Sequence, residues 1–190
     1  MSKIVLASKS PRRTELFKRY GIMAENIPAD IDESIPEYIK EPAEIVKFLA
    51  QKKAQYVSAA VEPGIITVAA DTLVFCNDRI LGKPANKEEA RSMLQLLSGK
   101  THNVISGVCI IRNNKKVCES VKTDVVFREL TREEIEGYIS TDEPYDKAGG
   151  YGIQSGGALF VKSINSDKRL ICGGSMSSIF ITSLFNFGRV

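Results

Sequence analysis

Apolar and polar positions alternate along the chain in two patterns, one typical of strands and one typical of helices. Short apolar runs predict strands, and these runs cover residues 4–7, 65–75, 104–111, 117–127 and 158–164. Apolar residues at helical spacing follow four start signals, which are Pro11, Pro42, Asn86 and Thr131. An Asn113–Asn114 turn separates two of the strands, so they are predicted to form an antiparallel hairpin. The chain is thus predicted to contain strands and helices throughout.

The first predicted helix carries two positive charges where helices favour negative ones. Ser10 is predicted to be the N-cap, and Pro11 the first helical residue. Arg12 and Arg13 follow directly. The N-terminal end of a helix is already positive, so acidic residues are favoured there. The two arginines therefore indicate either a phosphate-binding turn after the first strand or a solvated basic turn.

Two ionisable residues fall among apolar ones. Lys53 lies near the middle of the apolar stripe of the helix predicted over residues 42–60, so its ammonium must either reach solvent or meet an anionic partner. Asp71 interrupts the apolar strand 65–75, where an acid is costly unless it is paired. A structural Asp that caps a neighbouring turn is one interpretation. A carboxylate that acts as a general base or binds a metal is the interpretation that we favour.

Three loops contain further candidate ligand-binding residues. Glu33 lies in an acidic loop, where a solvated turn is the simplest interpretation, although the apolar neighbours Ile31 and Ile35 favour a fixed position. Lys83 lies between a glycine and a proline, which restrict its backbone. Gln154 belongs to the glycine-rich stretch 144–157, and its amide can both donate and accept, as recognition of a base requires.

Composition narrows the chemistry that this chain can perform. Its 190 residues suffice for one domain, or one domain with two lobes, and its net charge of +3 gives no support to nucleic-acid binding. No apolar run reaches the length of a membrane span. The chain has one histidine and four scattered cysteines, which we expect to be reduced thiols in a cytoplasmic protein. With so little histidine, carboxylates, lysines and arginines must carry any catalysis.

Four motifs together resemble the Maf family of nucleoside triphosphate pyrophosphatases, which have also been described as septum-formation inhibitors. They are L-A-S-x-S-P-R-R-x-E-L from Leu6, A-D-T-x-V from Ala70, G-K-P from Gly82 and D-K-A-G-x-Y-x-I-Q from Asp146. The resemblance covers residues 3 to about 165, with the motifs in the family's order and spacing. It implies a single domain over residues 1–190, with an α/β fold related to the inosine triphosphate pyrophosphatases. That fold has a long twisted mixed sheet flanked by helices, and two lobes with a cleft between them.

The resemblance also implies roles for individual residues. Phosphate binding is assigned to Ser8, Arg12, Arg13, Lys53 and Lys83, and the two lysines also count among the catalytic residues. Asp71 becomes the proton acceptor. Glu33 also counts as a catalytic residue and shares with Asp71 a site for a divalent cation, Mg²⁺ or Mn²⁺. Substrate choice is assigned to Arg13, Thr72 and Gln154. The forms of these motifs are similar to the branch that acts on dTTP and UTP rather than on 7-methyl-GTP.

The expected reaction is attack of water on the α-phosphorus of a nucleoside triphosphate, with release of pyrophosphate. A non-catalytic nucleotide sensor or division regulator is the main alternative, and a phosphatase with a Ser or Cys nucleophile is a more distant one. A homodimer is possible; no nucleic acid or membrane partner is expected. The segment 166–190 departs from the family because it lacks the G-L-P motif and a clear amphipathic helix, which leaves the packing of this end of the chain open.

Overall fold

A computed structural model gives the fold of residues 3–166, in which seven strands and four helices are present. The strands are β1 (Ile4–Ala7), β2 (Glu25–Asn26), β3 (Ile66–Cys76), β4 (Arg79–Leu81), β5 (Thr101–Arg112), β6 (Lys115–Phe127) and β7 (Val161–Ser166). The helices are α1 (Pro11–Arg19), α2 (Pro42–Ser58), α3 (Lys87–Leu97) and α4 (Arg132–Ile139). Every helix and strand predicted from the hydrophobic pattern is present. The last strand begins three residues later than predicted, because the backbone before it forms a 3₁₀ turn, Gly156–Phe160.

All seven strands belong to one mixed sheet with the order β2-β1-β3-β5-β6-β7, and β4 pairs with β3. β1 runs parallel to both of its neighbours, with Ile4 opposite Ile66 on β3. β4 and β7 run antiparallel to their partners β3 and β6. The predicted mixed α/β fold is therefore confirmed.

The chain forms two compact units. Among the described residues, the first unit comprises residues 3–71 and 106–121, and the second comprises residues 72–105 and 122–166. The prediction of a single domain over residues 1–190 with a cleft between two lobes stays a prediction. The predicted atypical segment 166–190 lies outside the described residues except for Ser166.

The first unit buries both faces of its strands. On β3, Val68 and Ala70 pack in one apolar cluster with Phe17 of α1, because alternate strand residues point to the same face. Ala69 points the other way, into a cluster that contains small residues of α2 such as Ala54. The apolar composition of this strand thus reflects a sheet that is covered on both sides.

The second unit contains the chain's single histidine at the centre of an aromatic cluster. His102 of β5 is 2% exposed, and its Nε2 lies 2.6 Å from the hydroxyl of Tyr151. Its ring meets Phe127 edge to face, with centroids 4.8 Å apart. Burial lowers the pKa of His102 to about 4, so the imidazole is neutral at physiological pH.

The helices α3 and α4 begin at the predicted residues, Asn86 and Thr131, which are their N-caps. At α4 the predicted start signal Thr131 forms a capping box with Glu134. At α3 the Asn86 side chain accepts from the amide of Glu89, but the Glu89 carboxylate accepts from Ala85 rather than from Asn86.

The prediction of four reduced thiols is wrong for two of the cysteines. Cys109 of β5 and Cys118 of β6 are joined by a disulfide, because the hairpin turn at Asn113 brings them opposite each other with Cα atoms 4.1 Å apart. Cys76 is a buried free thiol, as predicted, and Cys172 lies outside the described residues. None of the helices within residues 3–166 has the length and hydrophobicity of a membrane span.

We expect Gly107→Ala to destabilise the fold by about 2 kcal/mol, because overpacking against backbone cannot relax by a side-chain movement. A Cβ atom at Gly107 of β5 would lie 2.5 Å from the backbone of Val46 in α2. Gly137→Ala in α4 is the matched control, since a Cβ there meets nothing within 4 Å. The control should stabilise the protein by about 0.5–1 kcal/mol through helix propensity. Urea unfolding measures both, and equal effects would contradict the close packing of α2 on β5.

We expect acid to destabilise the fold through His102. The pKa of His102 is about 4 in the folded state and has an ordinary value of 6.5. Between these pH values the imidazole is protonated in the unfolded chain but not in the folded chain. Stability is therefore full above pH 6.5 and falls as the pH decreases toward 4. The loss should reach about 2–3 kcal/mol between pH 7 and pH 4.5. His102→Gln should remove this part of the pH dependence in urea unfolding, and an unchanged slope in the variant would contradict the assignment.

Candidate active site

The turn between β1 and α1 is organised by Ser8 and Arg13. Ser8 is 3% exposed, and its hydroxyl oxygen accepts from the amide of Ser10 at 3.1 Å and from Nη1 of Arg13 at 3.4 Å. The same Nη1 donates to the carbonyl of Ala70 on β3 at 2.7 Å. Ser10 occupies the N-cap position, but its side chain makes no capping hydrogen bond. The predicted N-cap hydroxyl at Ser10 is therefore wrong, and the hydroxyl of Ser8 accepts at this turn instead.

Arg13 is held at the point where β3 carries its acidic residue. Ala70 immediately precedes Asp71, so the hydrogen bond from Arg13 places the guanidinium beside that carboxylate. Burial lowers the pKa of Arg13, and the negative charge of Asp71 opposes that effect. Arg12 lies in the same helical turn and is exposed. The two arginines predicted as phosphate ligands thus differ in burial, because Arg13 is half-buried and Arg12 is exposed.

Lys53 of α2 binds two carboxylates at once. Its Nζ lies 2.6 Å from Oδ1 of Asp71 and 3.0 Å from Oε1 of Glu33. The side chains of Lys53 and Asp71 are 12% and 14% exposed, whereas Glu33 is 58% exposed. The interpretation of Lys53 as an inward lysine with an anionic partner is therefore confirmed. Glu33 reaches Lys53 from an exposed position, so it combines the solvated turn expected for this loop with an ion pair.

Burial and charge act in opposite directions on Asp71. Burial raises the pKa of this carboxyl, and the charge and hydrogen bond of Lys53 oppose the rise. Arg13 also opposes it, while the like charge of Glu33 adds to it. Asp71 is consequently a more basic group than an exposed Asp, and the two cations Lys53 and Arg13 limit the rise of its pKa.

The acidic loop is held by contacts that the sequence pattern did not reveal. The carboxylate of Asp32 accepts from both the amide and the hydroxyl of Ser34, which forms a tight turn around Glu33. Lys52 donates to the backbone carbonyl of Asp32 at 2.5 Å. Lys9 forms an ion pair with Asp30 at 3.1 Å. The Asp-x-Ser spacing was the available signal for this turn, since that spacing favours a local side-chain hydrogen bond.

The remaining predicted residues belong to the second unit. Thr72 follows Asp71 on β3, and Lys83 is exposed after β4. Gln154 is exposed in the glycine-rich loop. The first unit therefore brings together Ser8, Arg13, Glu33, Lys53 and Asp71. Participation of Thr72, Lys83 and Gln154 in the same site stays a prediction.

The motifs that form this cluster match a known family. A family model described as "Maf-like protein" matches residues 3–180 of the chain. The chain belongs to the Maf family.

Relatives of this Maf chain are similar over nearly its whole length. A protein from Bacillus anthracis (strain CDC 684 / NRRL 3495) named "dTTP/UTP pyrophosphatase" is 48% identical over 179 residues, which is 94% of this chain and 93% of the relative. A protein of the same name from Bacillus thuringiensis subsp. konkukian shows the same identity and the same coverage. The resemblance found in the four motifs is therefore confirmed.

Solved structures with a similar fold are distant in sequence. A HAM1 protein from Coxiella burnetii is 18% identical to the Maf chain and aligns with a TM-score of 0.46, covering 70% of this chain and 76% of that one. The Ham1 protein of Staphylococcus aureus is 14% identical, with a TM-score of 0.46 over 66% of this chain and 72% of that one. These similarities concern the fold alone.

We expect the Lys53–Asp71 pair of this Maf chain to show a coupling energy of about 2 kcal/mol, because removal of either partner leaves the other charge poorly solvated. A double-mutant cycle of Lys53→Met, Asp71→Asn and the combined variant measures it by urea unfolding at pH 7 without added metal. Lys47→Met is the control on the same helix. The partner of Lys47 is Glu44, which is 58% exposed, so that substitution should cost less than about 0.5 kcal/mol. A coupling no larger than the cost of the control would contradict a buried ion pair.

Proposed function

We propose that the chain hydrolyses nucleoside triphosphates, with dTTP and UTP as the preferred substrates, to the monophosphate and pyrophosphate. The observation that carries this proposal is the 48% identity to proteins named "dTTP/UTP pyrophosphatase" across 94% of the chain. The arrangement of Arg13, Lys53 and Asp71 supports it, since a polyanionic substrate needs cations and a hydrolysis needs a base.

Positive side chains of the first unit would bind the triphosphate. Arg13 is preorganised by its hydrogen bonds to Ser8 and Ala70, so little side-chain entropy is lost when a phosphate binds. Arg12 and the ammonium of Lys53 would add charge. Lys83 is assigned the same role by the family resemblance alone. These cations would neutralise the charge that develops on the leaving pyrophosphate.

Asp71 would act as the general base. A water oxygen attacks the α-phosphorus, its proton passes to the Asp71 carboxylate, and the bond from the α-phosphorus to the bridging oxygen breaks. Pyrophosphate leaves with the electron pair of that bond. Burial raises the pKa of Asp71, which strengthens it as a base, and the charge and hydrogen bond of Lys53 favour the ionised form that the base must have.

The carboxylates of the first unit fit a divalent cation. Glu33 and Asp71 already converge on one positive centre, the Nζ of Lys53. Within residues 3–166 no group of three or more His, Cys, Asp or Glu side chains is arranged for a metal ion. Mg²⁺ commonly uses only one or two carboxylates, with water and substrate phosphate as its other ligands. Glu33 and Asp71 would therefore hold Mg²⁺ or Mn²⁺, which polarises phosphoryl oxygens when bound.

Selection of the base is assigned to Arg13, Thr72 and Gln154 by the family resemblance. The amide of Gln154 is suited to a pyrimidine edge, because it offers a donor and an acceptor together. A cytoplasmic location is consistent with nucleotide substrates, although the Cys109–Cys118 disulfide is uncommon in that compartment. A homodimer stays a prediction.

We expect Asp71→Asn to reduce pyrophosphate release from dTTP by about two to four orders of magnitude, while nucleotide affinity changes little. The amide keeps the shape of the carboxylate and cannot accept the proton. Asp78→Asn is the control, because Asp78 is an exposed carboxylate in the turn that follows the same strand. Pyrophosphate release with Mg²⁺ or Mn²⁺ and titration with a non-hydrolysable dTTP analogue measure the two effects.

The same assay separates the proposal from its alternative. Near-normal turnover by Asp71→Asn would remove Asp71 as the base. A wild-type chain that binds nucleotides and releases no pyrophosphate with any of dTTP, UTP, dCTP and GTP would instead be a non-catalytic nucleotide-binding regulator. Release of inorganic phosphate alone would indicate a phosphatase.

A further inference from the structure

One carboxylate in the second unit accepts four hydrogen bonds. Oε1 of Glu143 accepts from the hydroxyl of Tyr138 at 2.8 Å and from the hydroxyl of Ser155. Oε1 also accepts from the amide of Gly157 at 3.3 Å, and Oε2 accepts from the amide of Gly156 at 3.1 Å. Three of the four donors belong to the glycine-rich loop. A single side chain thus satisfies the polar groups at one end of that loop.

The other end of the loop is tied to the same group. The hydroxyl of Tyr138, which donates to Glu143, accepts from the amide of Gly152 at 3.2 Å. A Cβ atom at Gly157 would lie 2.8 Å from the backbone of Gly152, so the two ends of the loop are in contact. We use the term "closed loop" for the segment from Gly152 to Gly157. Glu143 contacts one end of the closed loop directly and the other end through Tyr138, and Ser155 also donates from its amide to the carbonyl of Gly152 at 3.3 Å.

Glu143 itself is fixed in position. Its backbone carbonyl accepts from Nζ of Lys147 at 2.6 Å, and the same ammonium binds the carboxylate of Asp146 at 2.6 Å. Burial would raise the pKa of Glu143, but the hydrogen bonds from Ser155 and Tyr138 outweigh it and the pKa lies below its usual range. The side chain is therefore an anion at neutral pH, and charge-assisted hydrogen bonds of this kind are stronger than neutral ones.

The closed loop contains a residue that the candidate function needs and that Glu143 does not touch. Ile153 and Gln154 lie between Gly152 and Ser155, and both are exposed. We propose that Glu143 is the positioning residue that holds the closed loop and thereby sets the selectivity for the nucleotide base through Gln154. The inference rests on the proposed function in one respect, which is the role of Gln154 in recognising the base.

The test compares Glu143→Gln with the control Asp142→Asn in the full chain. The glutamine keeps the volume and one acceptor oxygen, but its NH₂ group faces an N–H donor of the loop, so a hydrogen bond is replaced by a repulsive contact. Asp142 is the neighbouring exposed carboxylate, and its side chain makes no capping hydrogen bond. Both substitutions remove one negative charge, and only the first one alters the closed loop.

Two measurements are made on each variant. The first is amide hydrogen exchange at Gly156 and Gly157, followed by NMR without nucleotide. The second is the ratio of affinities for the α,β-methylene analogues of dTTP and dGTP, measured by calorimetry. A loss of folded protein lowers both affinities equally and leaves their ratio unchanged, so the ratio reports on positioning rather than on stability.

We expect exchange at these two amides to accelerate roughly tenfold in Glu143→Gln, and the selectivity ratio to fall by about five- to tenfold. Asp142→Asn should change neither. In a Gln154→Ala background, Glu143→Gln should cause no further loss of selectivity, because its effect passes through Gln154. Unchanged exchange, unchanged selectivity, or a full additional loss in the Gln154→Ala background would each overturn the inference.

The design separates this inference from the proposed function. A wild-type chain that binds the analogues selectively but releases no pyrophosphate overturns the proposed hydrolysis, while the affinity ratio still decides the role of Glu143. A wild-type chain that binds the analogues without selectivity overturns the inference, and pyrophosphate release still decides the function. A wild-type chain that binds neither analogue overturns both.

Discussion

The interaction on which the first unit depends is the ion pair between Lys53 and Asp71. Burial of either charge alone, on an apolar strand or on the inner stripe of a helix, would cost free energy. The two groups offset this cost because Nζ of Lys53 lies 2.6 Å from Oδ1 of Asp71. The pair requires α2 to lie close to the sheet, and Gly107 permits that approach because the backbone of Val46 occupies the space of a Cβ atom. The ion pair therefore depends on the close packing of α2 against the sheet. The same small residues that bring the helix near the sheet also place a lysine beside a catalytic candidate.

A second anion organises the glycine-rich loop in the same physical manner. Glu143 is stabilised by hydrogen-bond donors rather than by a cation, and the donors are two backbone amides and two hydroxyls. In both places the groups around the carboxylate offset the free-energy cost of its negative charge. These contacts hold the carboxylates and the glycine-rich loop in fixed positions, which the proposed recognition of a substrate requires.

The hydrophobic pattern predicted the helices and strands well because the elements are long and regularly patterned, as in α2 and the β5–β6 hairpin. It also singled out Lys53 and Asp71, since a charge among apolar residues is a strong local signal. The errors came from contacts between separate elements or from a neighbouring acceptor that the hydrophobic pattern does not reveal. At the start of α1 the hydroxyl of Ser8, rather than that of Ser10, is the acceptor, and Cys109 forms a disulfide with a cysteine on the neighbouring strand. The sequence did not reveal the hydrogen bonds that Glu143 accepts, because an acidic residue before a proline in a loop has no periodic pattern.

By itself the sequence determined the four helices and five of the seven strands of the described residues, the family and the charged residues of the candidate site. Those properties depend on local periodicity and on motifs that are contiguous in the chain. Only the tertiary structure decided which charges meet. It joined Lys53 to both Asp71 and Glu33, directed Arg13 to the carbonyl of Ala70, and left Arg12 exposed. Such pairings depend on distances between elements, and these follow from how side chains pack around the sheet rather than from spacing along the chain.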